Sequence, residues 1–222
     1  WHKKQILAYK DEYEHYRVYK DVLERILRKA CQMYAPRAVV EARVKTVSSF
    51  AEKAVRRHEK YKNPIQEFCD LAGGRVVAFT EEQVDAICRF IEETFTLLET
   101  EDTRLRLKEA EFGYRSIHYT VQLKYDGTTD VTAEESEMIG SRKAELQVRT
   151  VLQHVWADVL HDRVYKTEIA VPVEYKREAG RLAALMEDGD AALAQFIRKM
   201  DAYLIHYSAY MSQEKLETEM DA

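Results

Sequence analysis

The sequence predicts an α/β (α+β) domain in which a small mixed β-sheet is flanked by N- and C-terminal helices. Apolar residues recur at helical spacing over residues 3–31 and again over 172–217, which indicates long helices at both ends. Between them, short β-rich runs alternate with helical segments, as expected of strands and helices packed in layers. With seven glycines and three prolines, the 222 residues contain no obvious linker, so we expect a single domain over residues 1–222.

The N-terminal helical region covers residues 1–36 and ends at Pro36. We expect one amphipathic helix, continuous or broken near its middle, with the apolar positions Ile6, Tyr9, Tyr13, Tyr16, Val22, Leu23, Ile26 and Leu27. Residues 40–46 are predicted to be extended. A second helix over residues 47–61 is expected to begin at Ser48 or Ser49 and to stop at Pro64.

The first central strand is predicted over residues 75–79, as a short buried run. Gly73 and Gly74 precede it, and we expect them to let the backbone turn tightly into the strand. Thr80 is followed by two glutamates and a glutamine, which predicts the N-cap of a helix that reaches about residue 95.

The remaining elements follow from alternation and turn signals. One strand is predicted over residues 117–125 and ends at Asp126-Gly127, a typical turn pair. Another covers residues 144–150 and leads into a helix over residues 151–161. Pro172 then opens the C-terminal helical region, residues 172–222.

Composition excludes several classes of protein. The chain is 46% hydrophobic and 33% charged, a soluble globular balance, and no apolar run approaches the roughly 18 residues of a membrane span. No signal peptide is apparent at the start of the sequence. Cys31, Cys69 and Cys88 are odd in number and widely spaced, which argues against a disulfide framework or a zinc site. We therefore expect reduced cysteines and a cytoplasmic protein.

Charge is distributed unevenly along the chain. The net charge of −5 argues against a general nucleic-acid coat. Residues 1–62, however, contain 16 Lys and Arg against 8 Asp and Glu, a net charge of +8, so the remainder carries −13. A basic first third predicts a local anionic ligand, with a solvated helix surface as the alternative.

A first cluster of candidate site residues is cationic. Arg43 and Lys45 lie on one face of an extended segment, and Ser49, Lys53 and Arg57 follow at helical spacing. Together they present one hydroxyl and four cations to one surface, which suits a triphosphate. An ordinary basic helix surface is the alternative interpretation.

A second cluster is the run Asp70-Leu71-Ala72-Gly73-Gly74-Arg75. The Asp70 carboxylate is suited to Mg²⁺, which prefers one or two carboxylates together with phosphate oxygens. Arg75 is suited to stacking on a base, because guanidinium planes pack on π-systems. The alternative is a plain loop in which Asp70 caps a helix.

Two predicted strands carry the remaining candidates. With the run from Gly113 to His118 extended, Tyr114 and His118 project to one face, where they offer a stacking ring and a hydrogen-bonding group. Glu145, Gln147 and Arg149 share one face of the next strand, where Glu145 could act as a metal ligand or a general base. Ordinary amphipathic strands are the alternative in both cases.

The order and spacing of these motifs resemble the synthetase domain of the RelA/SpoT family. The resemblance covers roughly residues 40–166 and rests on RVKTVSSFAEK, DLAGGR, FGYRSIH and ELQVRTVLQHVWADVLH, followed by YK. It implies a nucleotidyltransferase-like fold and a catalytic core over residues 40–166. It also implies a stand-alone small alarmone synthetase that moves pyrophosphate from ATP to the 3′-hydroxyl of GDP or GTP, giving (p)ppGpp and AMP.

The resemblance also implies roles for individual residues. Arg43 and Arg75 would sandwich the adenine of ATP, while the phosphates would be held by Lys45, Ser49 and Lys53, with Arg57 beside them. Mg²⁺ would bind Asp70 and Glu145. On the acceptor side, the guanine would stack on Tyr114 and the phosphates would contact His118, with Gln147 and Arg149 completing the face.

One departure keeps the acceptor open. Many family members have a Lys-Pro-Asn run where this chain has Ala110-Glu111-Phe112, so a positive charge is missing unless Arg104, Arg106 or Lys108 replaces it. Toxin relatives with this fold modify tRNA 3′ ends or adenine nucleotides, and such an enzyme would come with an antitoxin partner. An inactive binding module is a third hypothesis, disfavoured because Asp70 and Glu145 are both retained.

The resemblance finally implies a homo-oligomer built through the terminal helices. The C-terminal helix carries apolar residues that could form that interface or belong to the core: Phe196, Met200, Tyr203, Leu204, Tyr207 and Met211.

Overall fold

The computed structural model describes residues 1–106, 112–113, 115–125, 130–161 and 171–220, with the side chains of 106, 160, 161 and 212–220 left out. The helices are α1 (His2–Tyr34), α2 (Val47–Arg56), α3 (Pro64–Glu67), α4 (Glu81–Thr94), α5 (Ala133–Ile139), α6 (Val151–Trp156) and α7 (Val173–Met220). The strands are β1 (Val39–Val44), β2 (Ala72–Ala78), β3 (Phe95–Asp102), β4 (Ile117–Leu123) and β5 (Lys143–Thr150). A 3₁₀ turn covers Thr103–Arg106 and a π-helical turn covers Ala157–His161.

The strands form one five-stranded sheet in the order β1-β2-β5-β4-β3. β2 and β5 pair in parallel, and the other neighbours are antiparallel. This confirms the mixed α/β sheet flanked by helices that the sequence predicts. The central position of β2 and β5 places the two motifs DLAGGR and ELQVRT side by side.

Three of these helices and strands are absent from the prediction, namely β3, α5 and the four-residue helix α3. β3 is an edge strand whose residues are mostly exposed, so it has no alternation of apolar and polar residues to reveal it. α5 is only seven residues long, although Thr132 and Glu135 form a capping box at its start. Short or solvated elements of this kind give little periodic signal.

Several predicted boundaries also need correction. α1 is continuous over its 33 residues. α2 begins at Val47 because Thr46 is its N-cap, and it ends at Arg56, five residues earlier than predicted. Pro64 occupies the first turn of α3, where its missing N–H has no helical partner to lose. Thr80 caps α4 as predicted, since its side chain accepts a hydrogen bond from the backbone N–H of Gln83.

One face of the sheet is covered by helices. α1 packs on β1 and β2, and α4 packs on β2 and β5. Alternate residues of the strands enter this layer, so Val76, Leu146 and Tyr119 are buried in one core cluster with Leu23 and Leu27 of α1. The polar residues between them project to the opposite face of the sheet.

Gly74 lies inside β2, not in a turn before it. A Cβ atom on Gly74 would lie 2.5 Å from Cδ1 of Leu27 and 3.0 Å from Cδ2 of Leu146. The prediction of a tight turn is therefore wrong. The glycine is needed because α1 crosses β2 too closely to leave room for a side chain.

α7 is 48 residues long and differs between its two halves. Ala179, Ala183, Asp190 and Ala194 are buried, and the indole of Trp156 in α6 donates a hydrogen bond to the Ala179 carbonyl at 3.4 Å. Beyond Ala194, every side chain that the structure describes is exposed or half-exposed. The apolar residues of this half, from Phe196 to Met211, therefore lie on the surface of the helix.

No helix among the described residues is both long enough and apolar enough to cross a membrane.

Candidate active site

The strand register gathers the predicted polar residues on one face of the sheet. Arg43 pairs with Gly73, and Gly73 pairs with Glu145. One step along, Arg75 pairs with Gln147, which pairs in turn with His118. Residues directly opposite one another in a sheet project to the same side. Four motifs that are far apart in sequence therefore meet on the face away from α1.

A cavity of about 240 Å³ lies on this face, over β1, β2 and β5. Its lining combines charged side chains with the glycines of β2: Glu41, Ala42, Arg43, Gly73, Gly74, Arg75, Glu145 and Gln147. Because Gly73, which pairs with Arg43 and Glu145, has no side chain, the floor between Arg43 and Arg75 stays low. The result is a shallow slot with a guanidinium on either side.

At one end of the slot, Asp70 bridges two lysines. Its Oδ2 lies 2.8 Å from Lys45 Nζ, and its Oδ1 lies 2.8 Å from Lys53 Nζ. Burial by itself would raise the pKa of Asp70, but the hydrogen bonds from the two lysines outweigh it, so the pKa is lowered and the carboxylate is ionised. Lys53 also lies over the ring of Phe68, at 4.5 Å from its centroid.

Glu145 pairs with His118 on the neighbouring strand. His118 Nδ1 lies 3.4 Å from Glu145 Oε1, and the two side chains are 21% and 29% exposed. Burial would raise the pKa of Glu145, but the hydrogen bond from His118 outweighs this, and the pKa falls below its usual value. The charge of Asp70 also acts on Glu145, so the two carboxylates lie near one another.

Glu41 is a site residue that sequence reasoning missed. Its Oε2 lies 3.3 Å from Nη1 of Arg75, on the wall of the slot. The signal was available, because Glu41 and Arg43 are two residues apart on a strand and so share a face. Glu41 and Arg75 thus form an ion pair among the residues that line the slot.

Ser49 and Arg57 lie at the two ends of α2. The backbone N–H of Ser49 donates to Thr46 Oγ1 at 3.2 Å, so it belongs to the first turn of the helix and its side chain is exposed. Arg57 is the C-cap, just past the last helical residue, and is also exposed. Ser49 stands next to the Lys53 turn, while Arg57 lies one turn further from the slot.

Arg149 differs from its strand neighbours. It is 2% exposed, and its guanidinium lies 3.4 Å from Asp158 Oδ1, in the π-helical turn. The sequence placed it with Glu145 and Gln147 on the open face, whereas the turn after α6 covers it. Strand alternation fixes the face on which a side chain lies but not what packs over that face.

The acceptor side is described in part. Tyr114 and Lys108 lie outside the described residues, as does the side chain of Arg106. Arg104 is engaged by two carboxylates, at 3.0 Å from Asp85 and 2.8 Å from Asp102. It is thus tied to its own end of the sheet.

The fold and this site together define a class of protein, one in which a mixed sheet presents cations and carboxylates suited to a nucleoside polyphosphate. The family model described as the region found in RelA / SpoT proteins matches residues 42–170. The chain belongs to this family.

The relatives agree with this assignment. The GTP pyrophosphokinase YjbM of Bacillus subtilis (strain 168) is 29% identical over 145 residues, a match that spans 64% of this chain and 64% of that protein. The structure of a GTP pyrophosphokinase family protein from Streptococcus pneumoniae superimposes with a TM-score of 0.68 at 24% identity, covering 89% of this chain and 96% of that one. The structure of the small alarmone synthetase 1 of Bacillus subtilis bound to its product pppGpp superimposes with a TM-score of 0.62 at 23% identity. This match covers 83% of this chain and 93% of that one. These structural matches show the shared fold.

Proposed function

We propose that this protein transfers pyrophosphate from ATP to the 3′-hydroxyl of GDP or GTP and so produces (p)ppGpp and AMP. The observation that carries the proposal is the slot between Arg43 and Arg75, which ends at Glu145. Membership of the RelA/SpoT family supports it, as do a relative named GTP pyrophosphokinase and a solved relative bound to pppGpp.

ATP is expected to enter with its base in the slot and its phosphates toward α2. The guanidinium groups of Arg43 and Arg75 suit the two faces of a purine, since they are planar and stack on π-systems. Lys45 and Lys53 lie at the end of the slot and supply positive charge for the phosphates. Ser49 adds a hydroxyl in the first turn of α2, and Arg57 is the most distant of these groups.

Asp70 and Glu145 fit a magnesium ion. Both carboxylates have lowered pKa values, so both are ionised at neutral pH, and the charge of Asp70 acts on Glu145. The described residues contain no cluster of three or more His, Cys, Asp or Glu that would hold a metal alone. Mg²⁺ usually takes one or two carboxylates plus water and phosphate oxygens, which matches this pair. When bound, the ion would neutralise charge on the transferred phosphates.

In the proposed reaction the acceptor 3′-oxygen forms a bond to the β-phosphorus of ATP. The bond from that phosphorus to the α–β bridging oxygen breaks, and AMP leaves with the bond electrons. The hydroxyl proton passes to the Glu145 carboxylate, which is ionised and held in place by His118. Lys45 and Lys53 stabilise the negative charge that develops on the phosphates in the transition state. Holding both nucleotides in the reactive geometry supplies the rest of the rate enhancement.

The acceptor is expected on the β4 side of Glu145. His118 projects to the same face as Gln147 and lies next to Glu145, where it can meet the phosphates or ribose of a nucleotide. We assign the guanine to Tyr114, as the family resemblance implies. Gln147 completes the face, while the burial of Arg149 suits support of this wall better than direct contact.

A transfer assay tests the proposal. Purified protein, Mg²⁺ and ATP labelled on its β- and γ-phosphates would be offered GDP, GTP, ADP or deacylated tRNA separately. Label on the guanosine nucleotides with release of AMP is expected. Label on ADP or tRNA alone would refute the guanosine acceptor and favour a toxin-like enzyme with an antitoxin. The absence of the Lys-Pro-Asn run from residues 110–112 supports this alternative.

Carboxylate variants test the mechanism in the same assay. Glu145→Gln and Asp70→Asn should each lower transfer by at least about a hundredfold while circular dichroism stays unchanged. Full activity in either folded variant would contradict the roles assigned here. Glu52→Gln is a matched control, because Glu52 is an exposed carboxylate on α2 outside the slot.

We also propose a cytoplasmic homo-oligomer. Cys31, Cys69 and Cys88 are all free thiols, which supports a reducing compartment. The second half of α7 exposes Phe196, Met200, Tyr203, Leu204 and Tyr207, and an apolar surface of this kind is commonly covered by a partner. Light scattering of the purified protein would show an assembly, and a strictly monomeric protein would contradict it.

A further inference from the structure

One arginine holds the segment before β4 to two helices. The guanidinium of Arg115 lies 3.1 Å from Glu81 Oε1 on α4 and 3.3 Å from Glu187 Oε1 on α7. The Arg115 side chain is 19% exposed, so both ion pairs are partly shielded from water. A guanidinium has donors on two sides, which lets one residue bind both carboxylates at once.

The next residue is fixed from the other side. Ser116 is buried, and its backbone N–H donates to Thr103 Oγ1 at 2.7 Å. Its carbonyl oxygen accepts from the Thr103 hydroxyl at 2.9 Å, and its own hydroxyl donates to the Val148 carbonyl of β5 at 3.4 Å. Two residues further along, His118 contacts Glu145. The chain from Arg115 to His118 is thus anchored at each end and in its middle.

We propose that Arg115 is a positioning residue for the acceptor nucleotide and that it acts through this anchored segment, not by touching substrate. The inference rests on the proposed function, in which His118 and the sequence neighbour Tyr114 bind the acceptor. Loss of Arg115 would leave Glu81 and Glu187 without their shared cation and would release one anchor of the segment. α7, through Glu187, is therefore coupled to acceptor binding.

The same geometry predicts that ATP binding is insensitive to Arg115. The residues expected to hold ATP lie in β1, α2 and β2 or directly follow β1 and α2. The ion-pair partners of Arg115 belong to α4 and α7. A change at Arg115 should therefore separate the two substrates kinetically, which a general loss of stability would not do.

The chain offers a matched control. Arg198 of α7 forms an ion pair with Glu82 of α4, so it also joins these two helices. Both side chains are exposed, at 61% and 59%, and neither belongs to the segment before β4. Arg198→Met removes a contact between α4 and α7 without touching that segment.

The experiment compares wild type, Arg115→Met, Arg115→Lys and Arg198→Met. Arg115→Met should raise the KM for the acceptor by about tenfold to a hundredfold, with the KM for ATP unchanged. Arg115→Lys should have an acceptor KM between those of wild type and Arg115→Met, because lysine keeps the charge but not the two-sided donor geometry. Arg198→Met should match wild type. Hydrogen–deuterium exchange should also show faster exchange at the Ser116 amide in Arg115→Met alone.

The outcomes separate this inference from the function on which it rests. A wild-type protein that transfers pyrophosphate to none of the acceptors overturns both. An active wild type in which Arg115→Met and Arg198→Met behave alike, or in which Arg115→Met raises both KM values equally, overturns the positioning role alone.

Discussion

Replacing Gly74 with alanine would test how closely α1 approaches the sheet beneath the slot. The added Cβ would lie 2.5 Å from one methyl of Leu27 and 3.0 Å from one methyl of Leu146. These leucines are 0% and 1% exposed, so neither side chain can turn into solvent to make room. Overpacking a core in this way costs about 1–3 kcal/mol, and we expect a free energy of unfolding lower by that amount.

Thermal unfolding followed by circular dichroism measures the effect. For a chain of this size, 1 kcal/mol shifts Tm by about 2–4 °C, so Gly74→Ala should lower Tm by about 2–12 °C. Because β2 carries Arg75 and pairs with β5, which carries Glu145, the transfer activity of Gly74→Ala should fall together with its Tm.

The control is Gly180→Ala. Gly180 lies in α7 with nothing within 4 Å of an added Cβ, and alanine is favoured over glycine in a helix by about 1 kcal/mol. Its Tm should therefore stay the same or rise. A Gly74→Ala variant with the wild-type Tm would refute the account of Gly74 as a point of close approach.

Three further predictions concern single side chains. Burial raises the pKa of Asp190 from 3.8 to about 6, so the folded protein binds this proton more tightly than the unfolded chain and loses stability as the pH rises through that window. Asp190→Asn should remove this loss, so its free energy of unfolding should rise relative to that of wild type by up to about 3 kcal/mol between pH 4 and pH 7. A difference in unfolding free energy that does not change with pH would contradict the assignment. Arg75→Met should raise the KM for ATP and leave that for the acceptor unchanged, and the reverse pattern would exclude Arg75 from the adenine site. Tyr114→Ala should raise the KM for the acceptor far more than that for ATP, and an equal effect on both would refute stacking.

The sequence predicted the site most successfully where its residues share a strand. Alternation alone predicts that Glu145 and Gln147 share one face, and the register confirms this, since they lie opposite Gly73 and Arg75. Their roles in binding and catalysis stay predictions. The same rule predicts that Arg149 lies on this open face, yet Arg149 is buried beneath the turn that carries Asp158.

Local secondary structure is what the sequence by itself determined. The long helix α1, the capped start of α4 and the strands β4 and β5 follow from periodicity and from capping residues, which depend on neighbours a few positions away. The motif order in turn identified the family. β3 escaped because an exposed edge strand needs no apolar face.

Only the tertiary structure decided the long-range contacts. Asp70 forms ion pairs with Lys45 and Lys53, which are 25 and 17 residues away along the chain. These contacts keep the Asp70 carboxylate ionised despite its burial. Gly74 is required because a helix some fifty residues earlier crosses its strand, and Arg115 finds Glu187 only because α7 returns to the sheet. Such contacts depend on how whole elements pack, which no window of neighbouring residues records.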